Sequence, residues 1–264
     1  MAAVIIKDMD AIKKEYGRKR RTAIENAEEA VYEEKKMEEM EVCFLMDRFG
    51  YMKLIDKNAY ERNKEAVHNE NKYVFNCMNT DKICIFTDTG KMHTIKAVDI
   101  PLGRFRDKGT PVDNLSNYDS SQERMLYVAP VGQLRSDRLL FVTKTSMCKL
   151  VEGAEFDVAK RTIASTKLAD EDELIFIGSA SEMEQIVLQS HGGCFLRFLT
   201  QEVSTMKKTA LGVRGMKLAD DDYLEHAYLL AGHQEYTISY HDKEYALNKV
   251  RLAKRDTKGI KPRI

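Results

Sequence analysis

The stretch KTALGVRGMKLADDDYL, Lys208 to Leu224, sets Gly212 and Gly215 on either side of Val213 and Arg214, ahead of a short apolar segment and an acidic turn. Upstream, TKLADEDEL at Thr166–Leu174 repeats its centre. Lys167 aligns with Lys217, Leu168 with Leu218 and Asp170 with Asp220. A phrase written twice in one chain points to a repeating structural unit.

Working outward, five segments stack on one another: FLMDRFGYMKLI (Phe44–Ile55), CIFTDTGKMHTI (Cys84–Ile95), LFVTKTSMCKLV (Leu140–Val151), VLQSHGGCFLRF (Val187–Phe198) and TISYHDKEYALN (Thr237–Asn248). Each reads as strand, polar turn, strand. The turn position holds Gly50, Gly90, Ser146, Gly193 and Lys243, at intervals of 40, 56, 47 and 50 residues. Glycine there suits a hairpin turn that needs positive φ. A second half follows the third and fourth hairpins as the doubled phrase. It follows the second more loosely as TPVDNLSNYDSSQERMLYV, from Thr110. The phrase is therefore the inner part of one unit, used once per unit.

A unit of this length with about four strands is a propeller blade, which cannot bury both faces of its sheet without neighbours. The expected fold is all-β: a ring of about five four-stranded blades, the fifth incomplete, over residues 42–264. A long β-sandwich is the alternative architecture, and it leaves the repeated phrase unexplained.

Residues 1–41 differ in character. Val4, Ile5, Met9, Ile12 and Tyr16 recur at near-helical spacing, and Gly17 fits a helix C-terminus. A basic loop, RKRRTAI, follows, and then ENAEEAVYEEKKMEEME, Glu25–Glu41, which reads as a solvated helix or a linker. The expected division is a helical and charged linker over 1–41 and a β-domain beyond it.

Composition narrows the function. The 264 residues are 43% hydrophobic, ample for a core, and carry 42 basic and 42 acidic side chains. Neutrality argues against nucleic-acid binding over the whole surface but leaves room for a basic stripe offset by acids elsewhere. No run approaches the roughly 20 apolar residues that span a membrane, and MAAVIIKDMD meets charge too early for a secretory signal. Cys43, Cys77, Cys84, Cys148 and Cys194 are scattered, with no C-x-x-C pair, and read as small core residues of a reduced, cytoplasmic protein.

No catalytic constellation stands out. His68, His93, His191, His226, His233 and His241 show no H-E-x-x-H spacing, and neither G-x-S-x-G nor a P-loop is present. The HGG at His191–Gly193 falls on a hairpin turn. Asp220–Asp222 has its counterpart at Asp170–Asp172 inside the repeat, so a turn explains it better than a cation site. Neither a cofactor nor a metal is expected in this chain.

Basic residues cluster at one place in successive units, between the hairpin and the second half. GRFRDKG carries Arg104, Arg106 and Lys108; AKRT carries Lys160 and Arg161; MKKTALGVRGMK carries Lys207, Lys208, Arg214 and Lys217. On a ring of blades, equivalent positions share one rim. The clusters then form a curved stripe suited to a phosphate backbone. The plain alternative is ordinary solvated loop charge. Replacing Lys207, Lys208 and Arg214 is expected to leave folding largely intact, since such loop charges rarely matter by more than about 0.5 kcal/mol each. The tail KVRLAKRDTKGIKPRI, Lys249–Ile264, reads as a strand followed by a flexible basic end.

GVRGMKL with its acidic turn, DRFGYMKLI, IFTDTGKMHTI and, near the N-terminus, IKKEYGRKRRTAI (Ile12–Ile24) together resemble one family. It is the C-terminal domain of the A subunits of bacterial type IIA topoisomerases, DNA gyrase and topoisomerase IV. The last motif resembles the junction where the helical part of those A subunits ends. The resemblance spans nearly the whole chain. It implies a β-pinwheel whose blades exchange strands and which wraps or bends duplex DNA around a positively charged outer edge. It implies as partners double-stranded DNA, the rest of the topoisomerase A subunit and the ATPase-bearing B subunit, in a cytoplasmic, nucleoid-associated enzyme. ATP and magnesium belong to the full enzyme. The cleaving tyrosine and metal site lie in the N-terminal part of the A subunit, so this chain is expected to be inactive alone.

One feature departs from the gyrase pattern. Gyrase carries a glycine-rich box, Q-R-R-G-G-K-G, after the first hairpin. Here that segment reads KNAYERNKEAVHNENKYV, with no glycine between Gly50 and Gly90 and only Arg62 and Lys64 as its central cations. The departure favours a topoisomerase IV-type chain over a gyrase chain that lacks the box. A propeller-type protein-interaction platform is the reading from a different class.

Overall fold

The computed structural model describes residues 2–22, 38–232 and 235–262. Most of the acidic segment Glu25–Glu41, together with His233 and Arg263, lies outside the described residues. The chain forms two compact units, Met1–Glu38 and Glu39–Ile264.

The first unit contains one helix, Ala2–Tyr16, whose Val4, Ile5, Met9, Ile12 and Tyr16 are all exposed. Gly17 ends it: its N–H donates to the Lys13 carbonyl at 2.9 Å. A Cβ at that position would sit 2.2 Å from the same oxygen, so a larger residue does not fit.

The second unit is a succession of antiparallel sheets. The first blade has the hairpin Glu41–Asp47/Tyr51–Asp56, a return strand Asn71–Met78 against the first hairpin strand, and a short strand Thr110–Pro111 against the second. The second repeats this with Lys82–Thr87/Lys91–Lys96, Met125–Pro130 and Thr162–Ala164. The third has Arg138–Thr143/Met147–Glu152, Leu174–Ser179 and Val213–Arg214. The fourth has Gln185–Ser190/Phe195–Leu199 and Leu224–Leu230, and its other edge meets Leu252 and Ile260 through isolated bridges. The fifth is the hairpin Thr237–Tyr240/Lys243–Ala246.

The edge strands make this a pinwheel. After the second, third and fourth hairpins the chain crosses to the preceding blade, lays down its short strand there, and only then comes back to complete its own blade. The doubled phrase sits on that way back. Leu174 begins the return strand by donating its N–H to Asp88 O of the preceding blade's turn, and Leu224 does the same to Lys144 O. The phrase thus links two blades, where the sequence placed it inside one. Its last aspartate caps the hairpin turn of the blade it enters. Asp172 accepts from the Thr145 N–H (3.1 Å) and hydroxyl (2.6 Å), and Asp222 accepts from the Gly192 N–H (2.8 Å).

The turn residues Gly50, Gly90, Ser146 and Gly193 have φ of 82°, 74°, 71° and 79°. All four expected hairpin turns are present. The fifth turn is different: His241 and Asp242 carry the positive φ values, 50° and 58°, and Lys243 is already in the strand. A two-residue turn there replaces the three-residue form, which shifts the alignment.

Side chains alternate between two buried faces along each hairpin strand. Phe44 and Met46 pack toward the second blade, while Cys43 and Leu45 pack on the opposite face. Cys84 and Phe86 face the third blade, and Ile83 and Ile85 face the first. Leu140 and Val142 face the fourth blade, and Leu139 and Phe141 the second. These sheets are buried on two sides, the arrangement that a propeller requires. The first blade has no predecessor, and two short helices, Lys57–Arg62 and Lys64–Glu70, supply Ala59, Tyr60 and Val67 to that face. The sequence reading places no helix in this segment; contacts with Cys43, Leu45 and Ile55 stabilise turns too short to persist alone. Four of the cysteines are buried and Cys194 is half-buried, all as free thiols.

Candidate nucleic-acid interface

Return strands of successive blades neighbour one another, as Leu174–Ser179 does with Met125–Pro130 and Leu224–Leu230. They therefore line the middle of the domain, and the exchanged strands lie at the outer edge. The loops that deliver those exchanged strands carry the basic clusters.

The loop at 103–109 approaches the first blade through the parallel bridge Leu54–Leu102 and ends in the strand at Thr110. Gly109 is needed where it closes on the blade, because a Cβ there would meet Met52 O at 2.4 Å. Arg104, Arg106 and Lys108 are exposed. Among the described residues the Arg104 and Arg106 side chains make no hydrogen bond or ion pair. Lys108 Nζ lies 4.7 Å from the centre of the Tyr51 ring. Asp107, the one acid in the loop, is used to shape it, accepting the Arg104 N–H at 2.7 Å.

The loop before Thr162 brings Lys160 and Arg161, both exposed, to the edge of the second blade. The Arg161 carbonyl accepts the Thr94 N–H at 2.8 Å, which leaves its side chain outside.

The loop at 206–212 reaches the third blade through Leu150–Thr205. Here the cations are mostly engaged. Lys207 is 83% exposed and lies 3.7 Å from Glu155. Lys208 is half-buried: its N–H donates to the Glu155 carboxylate (3.1 Å) and its Nζ to the Glu155 carbonyl (2.9 Å). Arg214 forms a two-pronged ion pair with Asp256, the second contact at 3.0 Å. That pairing pushes the Arg214 pKa up and holds the Asp256 carboxyl below its usual range. Lys208 and Arg214 are thus parts of the structure, which corrects the expectation that they are free loop charges. Lys217 is exposed beyond the bridge Met216–Thr257.

A fourth loop goes beyond the sequence reading. Residues 251–261 reach the edge of the fourth blade through Arg197–Leu252 and Phe195–Ile260. They are an exchange loop, where the sequence suggests a flexible end. Arg251, Lys254, Lys258 and Lys261 are exposed there, whereas Arg255 is held by Glu202 and the Arg214 carbonyl. A signal for it exists: LAKRDTKGI, Leu252–Ile260, matches LGRFRDKGT, Leu102–Thr110, in its leucine, basic residues and glycine.

No group of acidic, cysteine or histidine side chains among the described residues is arranged to hold a metal ion. No helix among them is long and apolar enough to cross a membrane.

A ring-type array of exchanged blades with cationic outer loops is the class this geometry defines. Residues 81–120, 137–181 and 184–231, together just over half of the chain, match the family described as DNA gyrase C-terminal domain, beta-propeller. The chain belongs to that family, the C-terminal domains of type IIA topoisomerase A subunits. It is 29% identical over 224 residues to the DNA gyrase A subunit of Clostridium acetobutylicum, covering 81% of this chain and 27% of that protein. It is 29% identical over 231 residues to the gyrase A subunit of Salmonella typhimurium, covering 83% and 26%. The chain thus spans about a quarter of the length of these relatives. Among solved structures, the C-terminal domain of a DNA topoisomerase IV superposes with a TM-score of 0.73 at 22% identity, covering 85% of this chain and 73% of that one. A DNA gyrase A C-terminal domain superposes with 0.55 at 19% identity, covering 84% and 76%. At such identities the likeness is one of fold.

Proposed function

We propose that this chain binds and bends duplex DNA along its outer edge and presents it for strand passage by a type IIA topoisomerase. The observation that carries the reading is the recurrence of exposed cations in the exchange loops of four successive blades. Arg104, Arg106 and Lys108 lead, followed by Lys160 and Arg161, then Lys207, with Lys217 just past its exchanged strand, and then Lys254 with Lys258. Charges placed this way meet a phosphate backbone without reading its bases. Opposed to it, a protein-interaction platform explains the blades but not why each incoming loop is cationic. In the full enzyme the partners are the rest of the A subunit and the ATPase-bearing B subunit. ATP and magnesium serve those parts, in the bacterial cytoplasm. This chain alone neither cleaves DNA nor hydrolyses ATP.

We further infer topoisomerase IV-type bending in preference to gyrase-type wrapping. Support comes from the segment after the first hairpin, which has no glycine and is folded into two helices covering the first blade. The named relatives are gyrase A subunits, so the inference needs its own test. Binding to a duplex of about 40 base pairs or more should weaken steeply with salt. Closure of a nicked plasmid on the protein should leave its linking number nearly unchanged. A large shift would restore gyrase; salt-insensitive or absent binding would sink the DNA reading itself.

A further inference from the structure

The first three blades each send a cation from their own hairpin into the loop that arrives from the next unit, and the fourth sends Arg197 to the turn ahead of it. Lys53 Nζ donates to the carbonyls of Phe105 and Asp107, the latter at 2.7 Å. Lys82 Nζ donates to Val158 O at 3.1 Å. Lys149 Nζ donates to the carbonyls of Lys208 (2.8 Å) and Ala210 (2.7 Å). Arg197 Nη1 donates to Asn248 O at 2.6 Å. Lys53 and Lys149 thus make one contact from equivalent positions on the second hairpin strand, across 52 and 59 residues. Lys82, on a first hairpin strand and 3.9 Å from Asp157, and Arg197, which reaches the turn Leu247–Lys249, make related contacts from other positions.

We propose that Lys53 and Lys149 are positioning residues for the duplex: they turn the loop carbonyls inward and so hold Arg104, Arg106 and Lys108 in one loop, and Lys207 in the other, out along the edge. The proposal rests on the DNA-binding reading.

Burial without a counter-ion argues that packing alone does not explain them. Lys149 is 1% exposed. Among the described residues neither Lys53 nor Lys149 has a carboxylate within ion-pair distance. Each ammonium has instead an aromatic ring nearby, Phe105 at 5.4 Å and Phe141 at 5.7 Å. Burying an ammonium on carbonyls alone costs free energy that an apolar residue would not incur. That cost shows in its chemistry: burial pushes the Lys149 pKa down to about 8, against a smaller upward pull from Glu155, and pushes Lys53 down as well. The fourth blade shows that the position has no intrinsic need for a charge. Lys53 and Lys149 stand three residues past Gly50 and Ser146; the residue three past Gly193 is Leu196, buried in the core. The lysines are placed where two carbonyls of a basic loop must be gathered. At 206–212 the gathering is completed by Glu155 on the other side of Lys208.

The test is Lys53→Met with Lys149→Met in the full 264-residue chain, which keeps the apolar stems and removes the clamps. Binding to a duplex of about 40 base pairs is expected to weaken about tenfold at moderate salt, with a salt slope shallower by about two to three, as fewer counterions are released. Amide exchange should accelerate in 103–109 and 206–212, while the thermal midpoint holds or rises. Affinity and slope equal to the unmodified chain would overturn the proposal. So would a loss of affinity with both loops still protected. If the double variant fails to fold, each single variant serves, and each should expose its own loop only; both loops opening together, or neither, refutes the clamp. Replacing Arg104, Arg106 and Lys108 by Ala runs alongside. If that weakens binding and the clamp variants do not, the DNA reading survives without the clamps; if the unmodified chain ignores the duplex, both fall.

Discussion

The loops at 103–109 and 206–212 arrive at their blades in the same way, through a parallel bridge, a lysine clamp and a closing glycine. Both read in the sequence as basic clusters. In the first, Arg104 and Arg106 are unpaired among the described residues and Lys108 rests over Tyr51. In the second, Lys208 is tied to Glu155, and Arg214, just beyond the glycine, to Asp256. The comparison teaches that local basicity and available charge are separate quantities. A guanidinium already holding a carboxylate with both prongs has little left for a phosphate.

The largest expected effect breaks the comparison from its exposed side. Replacing Arg104, Arg106 and Lys108 by Ala should weaken duplex binding by about 10- to 100-fold and reduce the salt slope by about three, since three phosphate contacts are lost. Stability should hold, because each is an exposed loop charge worth at most about 0.5 kcal/mol. Filter binding across a salt series with a parallel melting curve reads both.

The opposite side should behave the other way round. Replacing Lys207, Lys208 and Arg214 by Ala is expected to weaken binding only a few-fold while lowering the unfolding midpoint, as the Glu155 and Asp256 partners lose their donors. Equal binding losses for the two triple variants, with no change in unfolding midpoint, would erase the distinction between the loops.

The clamp beneath the second loop adds a pH signature. Lys149 holds its proton less tightly in the folded chain, near 8 against an ordinary 10.5. The folded state therefore binds fewer protons than the unfolded one between those values, and stability from this group rises with pH there. Below about 8 the buried charge is at full cost. Relative to Lys149→Met, the unmodified chain should gain stability as pH rises from about 8 toward 10.5; a gap that stays constant across this window contradicts the assignment. Glu155 is the charged group that acts on the clamp, pulling the Lys149 pKa up against the larger effect of burial.

The smallest effect sharpens the comparison from within. Asp256→Asn keeps a residue that tolerates its φ of 66° but removes the charge that occupies Arg214. Freed, Arg214 should tighten duplex binding about two- to threefold and steepen the salt slope by about one. No change would mean that Arg214 does not face the duplex.

Much of this was decided by the sequence alone. The hairpin turns at Gly50, Gly90, Ser146 and Gly193 follow from local sterics, because a positive φ is a property of one residue and its neighbours. The alternation of side chains between the two faces of each strand and the end of the N-terminal helix at Gly17 are likewise local. Tertiary structure decided the rest. Strand exchange joins Met52 to Thr110 and Cys148 to Val213, and no local preference encodes which blade a short strand joins. The helices at 57–70 exist because an open blade face needed cover. Which cations remain free was settled by partners far away in the chain, Glu155 for Lys208 and Asp256 for Arg214. Charge is written residue by residue, but its availability depends on what the fold brings within hydrogen-bond reach.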